Sequence, residues 1–197
     1  MMNIKQILIG KPTRLRYIKR FSICPRVHEE SVAEHSYYVA FIAMMIAEDL
    51  EKRGYAIQID KLLCRALVHD IDEVFSGDFI RMFKHDNSIV NNAINATSLK
   101  LTSKFFEEYP AGDRLLGYWL HCKGDDIEGK ILACSDFLSV VSYIWQELNA
   151  GNIIMKQQLS ELRKFAETFA AYEYAFLKDY MRDVQVLLDE MEGENET

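Results

Sequence analysis

Apolar residues recur at three- and four-residue spacing through most of the chain, and the pattern predicts long helices rather than strands. The clearest run begins at Ser31. Ser31 and Glu34 stand at the S-x-x-E spacing of a capping box, and SVAEHSYYVAFIAMMIAEDLEKR keeps the helical period up to Gly54. Upstream, residues 3–19 predict one or two short helices interrupted near Gly10-Lys11-Pro12, and FSICPRVHEE predicts a loop with Pro25 as its breaker. Asp60 is the expected cap of the next helix, KLLCRALVHD, and residues 76–88 are polar and turn-rich. Helices are expected over about 87–108, ending before Pro110, and over about 113–122. Asp125 and Glu128 repeat the capping-box spacing ahead of IEGKILACSDFLSVVSYIWQEL, which stops near Gly151. One long last helix is expected over about 153–191.

Composition narrows this to a single all-α domain. There are 197 residues, 49% of them hydrophobic, with only three prolines and nine glycines, which suits a sizeable helical core. The tail EGENET is acidic and reads as disordered over 192–197, leaving residues 1–191 as the domain. The formal net charge of −7 argues against binding a nucleic-acid duplex, and a small anionic substrate would need a local cluster of cations. No stretch approaches the roughly 20 apolar residues of a membrane span, and the N-terminal apolar run is too short for a signal peptide. Cys24, Cys64, Cys122 and Cys134 form no CxxC pair, so a zinc–cysteine site is not expected. Cys64 and Cys134 read as small core residues, and free thiols suit a reducing cytoplasm.

Several polar residues break the apolar faces. Asp136 has Leu132, Ala133, Val140 and Tyr143 as its helical neighbours, and a lone buried carboxylate costs several kcal/mol unless it is paired or metal-bound. It could equally cap a loop or pair with an arginine. His35 shares a face with Val32, Tyr38, Val39 and Ile42, where a single histidine is more often a satisfied core residue than a ligand. His69 and Asp70 end the apolar stripe of Leu62, Leu63, Ala66 and Leu67. Three apolar helices thus each bring metal-type ligands to the buried side. Two imidazoles and two carboxylates suit Mn2+, Fe2+, Co2+, Ni2+ or Zn2+. A second His-Asp pair, His85-Asp86, lies in the polar segment and reads as surface.

The order H…HD…D on helices is the signature of the HD superfamily of phosphohydrolases. The chain resembles, more specifically, bacterial 5'-deoxynucleotidases of the YfbR type. The resemblance covers RLRYIKRF near the start, EESVAEHS around His35, ALVHDIDEVFSGD around His69, and the stretch from KILACSDFL to ELNAGN around Asp136. It implies an HD-type helical bundle, a homodimer, and release of phosphate from a deoxynucleotide. It carries over His35, His69, Asp70 and Asp136 as ligands of one divalent metal, Glu73 as the acidic catalytic residue, Arg20 as a phosphate contact and Asp78 as a substrate contact. Two departures fall at the expected substrate pocket. Phe21 stands where the family has tryptophan, and Phe79-Ile80-Arg81 replaces a Pro-Thr-Pro turn.

The residues lend these roles physical sense. Glu73 follows His69 by four, so a continuing helix would face it the same way, where it can move a proton. Its alternative is a solvated helix-end acid, which is the reading for Asp72. Arg20 belongs to a basic run with Arg14, Arg16, Lys19 and Arg26, most of which read as a solubilising face. Lys84 is a second candidate phosphate cation, and Arg81 adds a charge that could meet extra phosphates. The expected activity is metal-dependent hydrolysis of (deoxy)nucleoside 5'-monophosphates. A triphosphate or polyphosphate hydrolase on the same scaffold, or a nucleotide-binding protein with a degenerate site, are the alternatives.

Overall fold

A computed structural model describes residues 4–78, 87–170 and 174–193. Among these residues there is no strand, only an isolated bridge between Lys19 and Ser31. A short helix α1 (Ile4–Ile9) gives way at Gly10 to a 3-10 turn (Lys11–Arg16) with Pro12 in its first turn, where proline's missing N–H costs nothing. The loop before α2 (Val32–Lys52) ends in the expected capping box. The Ser31 hydroxyl accepts from the Glu34 amide at 3.2 Å, and Glu34 accepts from the Ser31 amide at 2.7 Å.

Helix α3 (Ile59–Val68) is capped two residues earlier than expected, since Gln58 holds the N-cap position and Asp60 lies in the first turn. After a tight turn comes α4 (Glu73–Ser76), stopped by Gly77 at φ 73°. Helix α5 (Ser88–Phe106) is capped by Asn87, and α6 (Gly112–Leu120) follows. Helix α7 (Ile127–Asn149) is capped by Asp126, not Asp125. The Asp126 carboxylate accepts from the Gly129 amide at 2.9 Å, while Glu128 turns away to accept from the Gln58 amide. The single last helix expected from the pattern is instead a 3-10 turn (Ile153–Gln158), α8 (Leu159–Ala170) and α9 (Ala175–Gly193), with α8 and α9 packed on each other. Periodicity alone cannot separate one helix from two in phase. Helix α9 also runs two residues past the expected domain end.

Helix α2 packs chiefly on α7 and α3. One hydrophobic cluster gathers Val39, Leu50, Leu62, Leu132, Ile144 and Phe176, and a smaller one gathers Leu15, Val32, Ile71, Val74, Phe105 and Phe106. Each such side chain contributes roughly 1.5–3 kcal/mol by leaving water. Both His35 and His69 fall at the seam. His35 lies between Val32 of the small cluster and Val39 of the large one, and His69 between Ala66 of the large and Ile71 of the small. The seam places polar ligands deep in the molecule without breaking either core. An ion network pins α3 to the start of α7: Arg65 and Lys61 reach Asp126 at 2.7 and 2.9 Å, and Lys61 also reaches Glu128 at 2.9 Å.

Candidate metal centre and its cavity

The three helices bring the four expected ligands together. His35 of α2 and His69 just past α3 are buried, with ring centroids 5.4 Å apart. Ligand atoms of His35, His69 and Asp136 lie within 4.8 Å of one another. Asp136 Oδ1 is 3.0 Å from His35 Nε2, while Asp70 Oδ2 is 3.5 Å from His35 Nε2 and 3.1 Å from His69 Nε2. Despite these separations, neither Nε2 atom has a hydrogen-bond partner of acceptable geometry. Two buried imidazole nitrogens facing carboxylates without hydrogen bonds are what a divalent cation between them would satisfy, and two nitrogens with two oxygens suit a transition ion.

The remaining ring nitrogens have fixed neighbours. His69 Nδ1 lies 2.7 Å from the Ala66 carbonyl oxygen, which can only accept, so Nδ1 carries the proton and Nε2 presents a lone pair to the site. His35 Nδ1 has Arg20 at 2.8 Å and the Ser139 hydroxyl at 3.2 Å. Arg20 can only donate, so Nδ1 accepts from it in this arrangement; ligation through His35 Nε2 requires Arg20 to swing away and the Nδ1 proton to be directed to the Ser139 hydroxyl, which can accept.

Charge is concentrated here. Burial would raise the Asp70 carboxyl, but the facing His69 holds it well below the usual range. Burial would likewise raise Asp136, and the Lys123 ammonium overrides it. Burial, then the Arg20 charge, pushes His35 down, whereas for His69 the Asp70 charge overcomes burial and raises it. Glu73 reaches the site differently from the expected helix continuation. Residues 69–72 form tight turns, with the Glu73 amide bonded to the Asp70 carbonyl at 3.1 Å. Burial, then the Asp70 and Asp78 charges, pushes Glu73 up to about 10, and its Oε2 is buried without a partner. Asp72 is not merely solvated, since it accepts from the Trp119 indole at 3.3 Å.

Of the basic run, only Arg20 enters the site. Arg14 and Arg16 are exposed, and Lys19 and Arg26 pair with Glu29. Arg20 is held by Glu30 at 2.8 Å and stacks its guanidinium over Phe21 at 5.5 Å. Lys123, which no sequence pattern marks, meets Asp136 at 2.5 Å. A single lysine in a short polar loop carries no pattern that would have singled it out. Arg81, Lys84, His85 and Asp86 lie outside the described residues.

A cavity of about 390 Å³ opens beside the cluster. It is lined by His69, Asp70, Glu73 and Lys123, by Ile94 and Leu99 of α5 and by Trp119 and Leu120 of α6, with Asn95 and Ser98 also on its wall. Charged groups, apolar side chains and an aromatic ring share this lining, the mixture that a nucleotide's phosphate and base call for.

The family described as 5'-deoxynucleotidase YfbR-like matches residues 9–184. A 5'-deoxynucleotidase of Photobacterium profundum is 28% identical over 184 residues, covering 90% of this chain and 94% of that protein. An HD-domain phosphohydrolase from Listeria innocua superposes with a TM-score of 0.79 at 26% identity, over 95% of this chain and 90% of that one. The cyanophage S-2L HD phosphohydrolase, solved with dA and one catalytic Zn2+ ion, shares the fold at a TM-score of 0.61 and 12% identity, over 92% of this chain and 96% of that one.

Proposed function

The chain belongs to the YfbR-like 5'-deoxynucleotidase family, and from that premise we propose that it releases phosphate from deoxynucleoside 5'-monophosphates at a one-metal site held by His35, His69, Asp70 and Asp136. The observation that carries the ligand assignment is the pair of buried, unpartnered Nε2 atoms facing two carboxylates. A divalent ion bound there supplies Lewis-acid polarisation of a phosphoryl oxygen and a more acidic water.

The chain's own residues do the rest. Arg20 and Lys123 hold the phosphate and offset its charge, with Arg20 turning from His35 toward the anion. Glu73, whose burial favours the protonated form, donates a proton to the departing 5'-oxygen. Asp78 accepts from the sugar hydroxyl. Phe21, braced beneath Arg20, forms the apolar surface that tryptophan would supply elsewhere in the family. The base lies against the α5–α6 wall near Trp119 and Leu120.

A homodimer is part of this reading. Tyr37, Phe41 and Met45 form an exposed apolar stripe on α2, at 62%, 45% and 58% exposure, which a second copy would cover. No helix among the described residues is long and apolar enough to cross a membrane. Sedimentation equilibrium at twice the 22.9 kDa chain mass supports the dimer, and a monomer at micromolar concentration overturns it.

The activity is tested by phosphate release from deoxy- and ribonucleoside mono- and triphosphates with added Mn2+ or Co2+. Deoxynucleoside monophosphates should be the preferred substrates. Release of triphosphate, or pyrophosphate, in preference to phosphate would overturn the proposal. Comparison with 2-deoxyribose 5-phosphate isolates the base: a nucleotide no better than the base-free sugar phosphate would remove the α5–α6 wall from the substrate site.

A further inference from the structure

Helix α7 carries a polar stripe that continues past the metal cluster. Asp136, Ser139, Tyr143 and Glu147 follow one another at spacings of three and four, so they share one face. Asp136 and Ser139 serve His35. Tyr143 and Glu147 contact instead the loop of residues 19–31, which carries Arg20 and Phe21.

The contacts are dense. Glu147 is fully buried. Its Oε2 accepts from the Val27 amide and from the Asn152 side chain, both at 2.7 Å, and its Oε1 accepts from the His28 amide at 2.7 Å, with the His28 ring at 3.2 Å. Asn152 also donates to the Pro25 carbonyl at 3.0 Å, and the Tyr143 hydroxyl donates to the His28 carbonyl at 2.7 Å. At the other end the loop is closed by the Lys19–Ser31 bridge and by the Arg20 amide donating to the Glu30 carbonyl at 2.9 Å. Between these anchors Phe21 stands at φ 53°, a left-handed conformation that aromatic residues rarely adopt. Its ring stacks on Tyr143 at 4.8 Å and 10°, and the Arg20 guanidinium lies over it at 5.5 Å. Strained backbone persists only where its surroundings over-determine it, and here they are the α7 anchors.

We propose that Glu147, with Tyr143 and Asn152, is a positioning group: it holds the 19–31 loop in the strained form that sets Phe21 against Tyr143 and thereby aims Arg20 at the substrate phosphate. The proposal rests on the phosphate role of Arg20. The carboxylate is suited to this because it accepts four donors at once and offers none, which neither an amide nor a hydroxyl can do.

The test is a double-mutant cycle with a second, kinetics-free readout. Glu147→Gln is isosteric but turns an NH2 group toward donors. It should raise KM for a deoxynucleoside monophosphate by about tenfold and leave bound metal unchanged. In an Arg20→Ala background the same change should cost less than about twofold, because the residue it aims is gone. Hydrogen–deuterium exchange of peptides spanning 20–28 should rise in Glu147→Gln while α2 and α7 stay protected. Tyr143→Phe and Asn152→Ala, milder changes, should move both readouts the same way and serve if Glu147→Gln does not fold. Losses that multiply fully with Arg20→Ala, or unchanged exchange over 20–28 in folded variants, would overturn the proposal. If Arg20→Ala alone leaves KM unchanged while exchange still rises, the phosphate role of Arg20 fails and the clamp on the loop stands apart from it.

Discussion

Ser139 sets its hydroxyl oxygen 3.2 Å from Nδ1 of His35, three residues along α7 from Asp136, so one helix supplies both a candidate ligand and the group that orients another. Outer partners of this kind typically govern metal affinity by 10–100-fold. Ser139→Ala should therefore weaken metal binding by about that factor without abolishing it, whereas His69→Ala and Asp136→Ala should abolish it. Titration of the metal-free protein with Co2+ or Mn2+ distinguishes the three. Unchanged affinity in Ser139→Ala would return the hydroxyl to a packing role.

Glu73 separates chemistry from binding. Its side chain touches the cavity but is not among the clustered ligand atoms. Glu73→Ala should keep its metal and its nucleotide affinity and lose about 10²–10⁴-fold in turnover, the usual reach of a general acid. Turnover within a few-fold of the parent would remove Glu73 from the proton path.

Lys123 should show opposite effects on two ligands. Its ammonium sits on Asp136, where it attracts a phosphate and repels a metal ion. Lys123→Met should raise KM for the monophosphate and tighten metal binding, each by about tenfold. The side chain is 45% exposed, so both effects should shrink in high salt. A variant whose metal binding weakens instead would show that Lys123 supports the geometry of Asp136 more than it competes for it.

The candidate metal cluster was legible because its residues violate a pattern. Histidine and aspartate on otherwise apolar helical faces are conspicuous, and the capping box at Ser31 fixed where the His35 helix starts. Other features break no local rule. Asp125 and Asp126 are adjacent acids before the same helix, and only packing against Arg65 and Lys61 selects Asp126. The break between α8 and α9 leaves the apolar period in phase. Glu147 reads from sequence as one more acid near a helix end, and its four donors come from residues 27, 28 and 152, most of them over a hundred positions away. Lys123 is equally silent, because its meaning comes from where α7 carries Asp136.

Asp126 offers a stability prediction with a definite sign. Its carboxylate caps α7 and pairs with Arg65, which is only 6% exposed, so Asp126→Ala removes an N-cap and leaves a buried guanidinium unpaired. A lost cap costs about 0.5–2 kcal/mol, and breaking a fully buried pair costs roughly 3–5 kcal/mol. Asp126 itself is partly solvated, which lowers the second figure, so a total of about 2–4 kcal/mol is expected. For a chain of this size that corresponds to a Tm lower by roughly 4–16 °C. Burial would raise the Asp126 carboxyl, but the bonds from Arg65 and Lys61 hold it well below its ordinary value. A depressed carboxyl contributes its stability fully above the unfolded value near 3.9 and loses it as pH falls through the lower folded value. The gap in Tm between the parent and Asp126→Ala should therefore be widest near neutrality and should narrow steadily below about pH 4. Thermal melts followed by circular dichroism across that range check it. A gap that stays constant into acid would assign the loss to helix packing rather than to the ionised carboxylate.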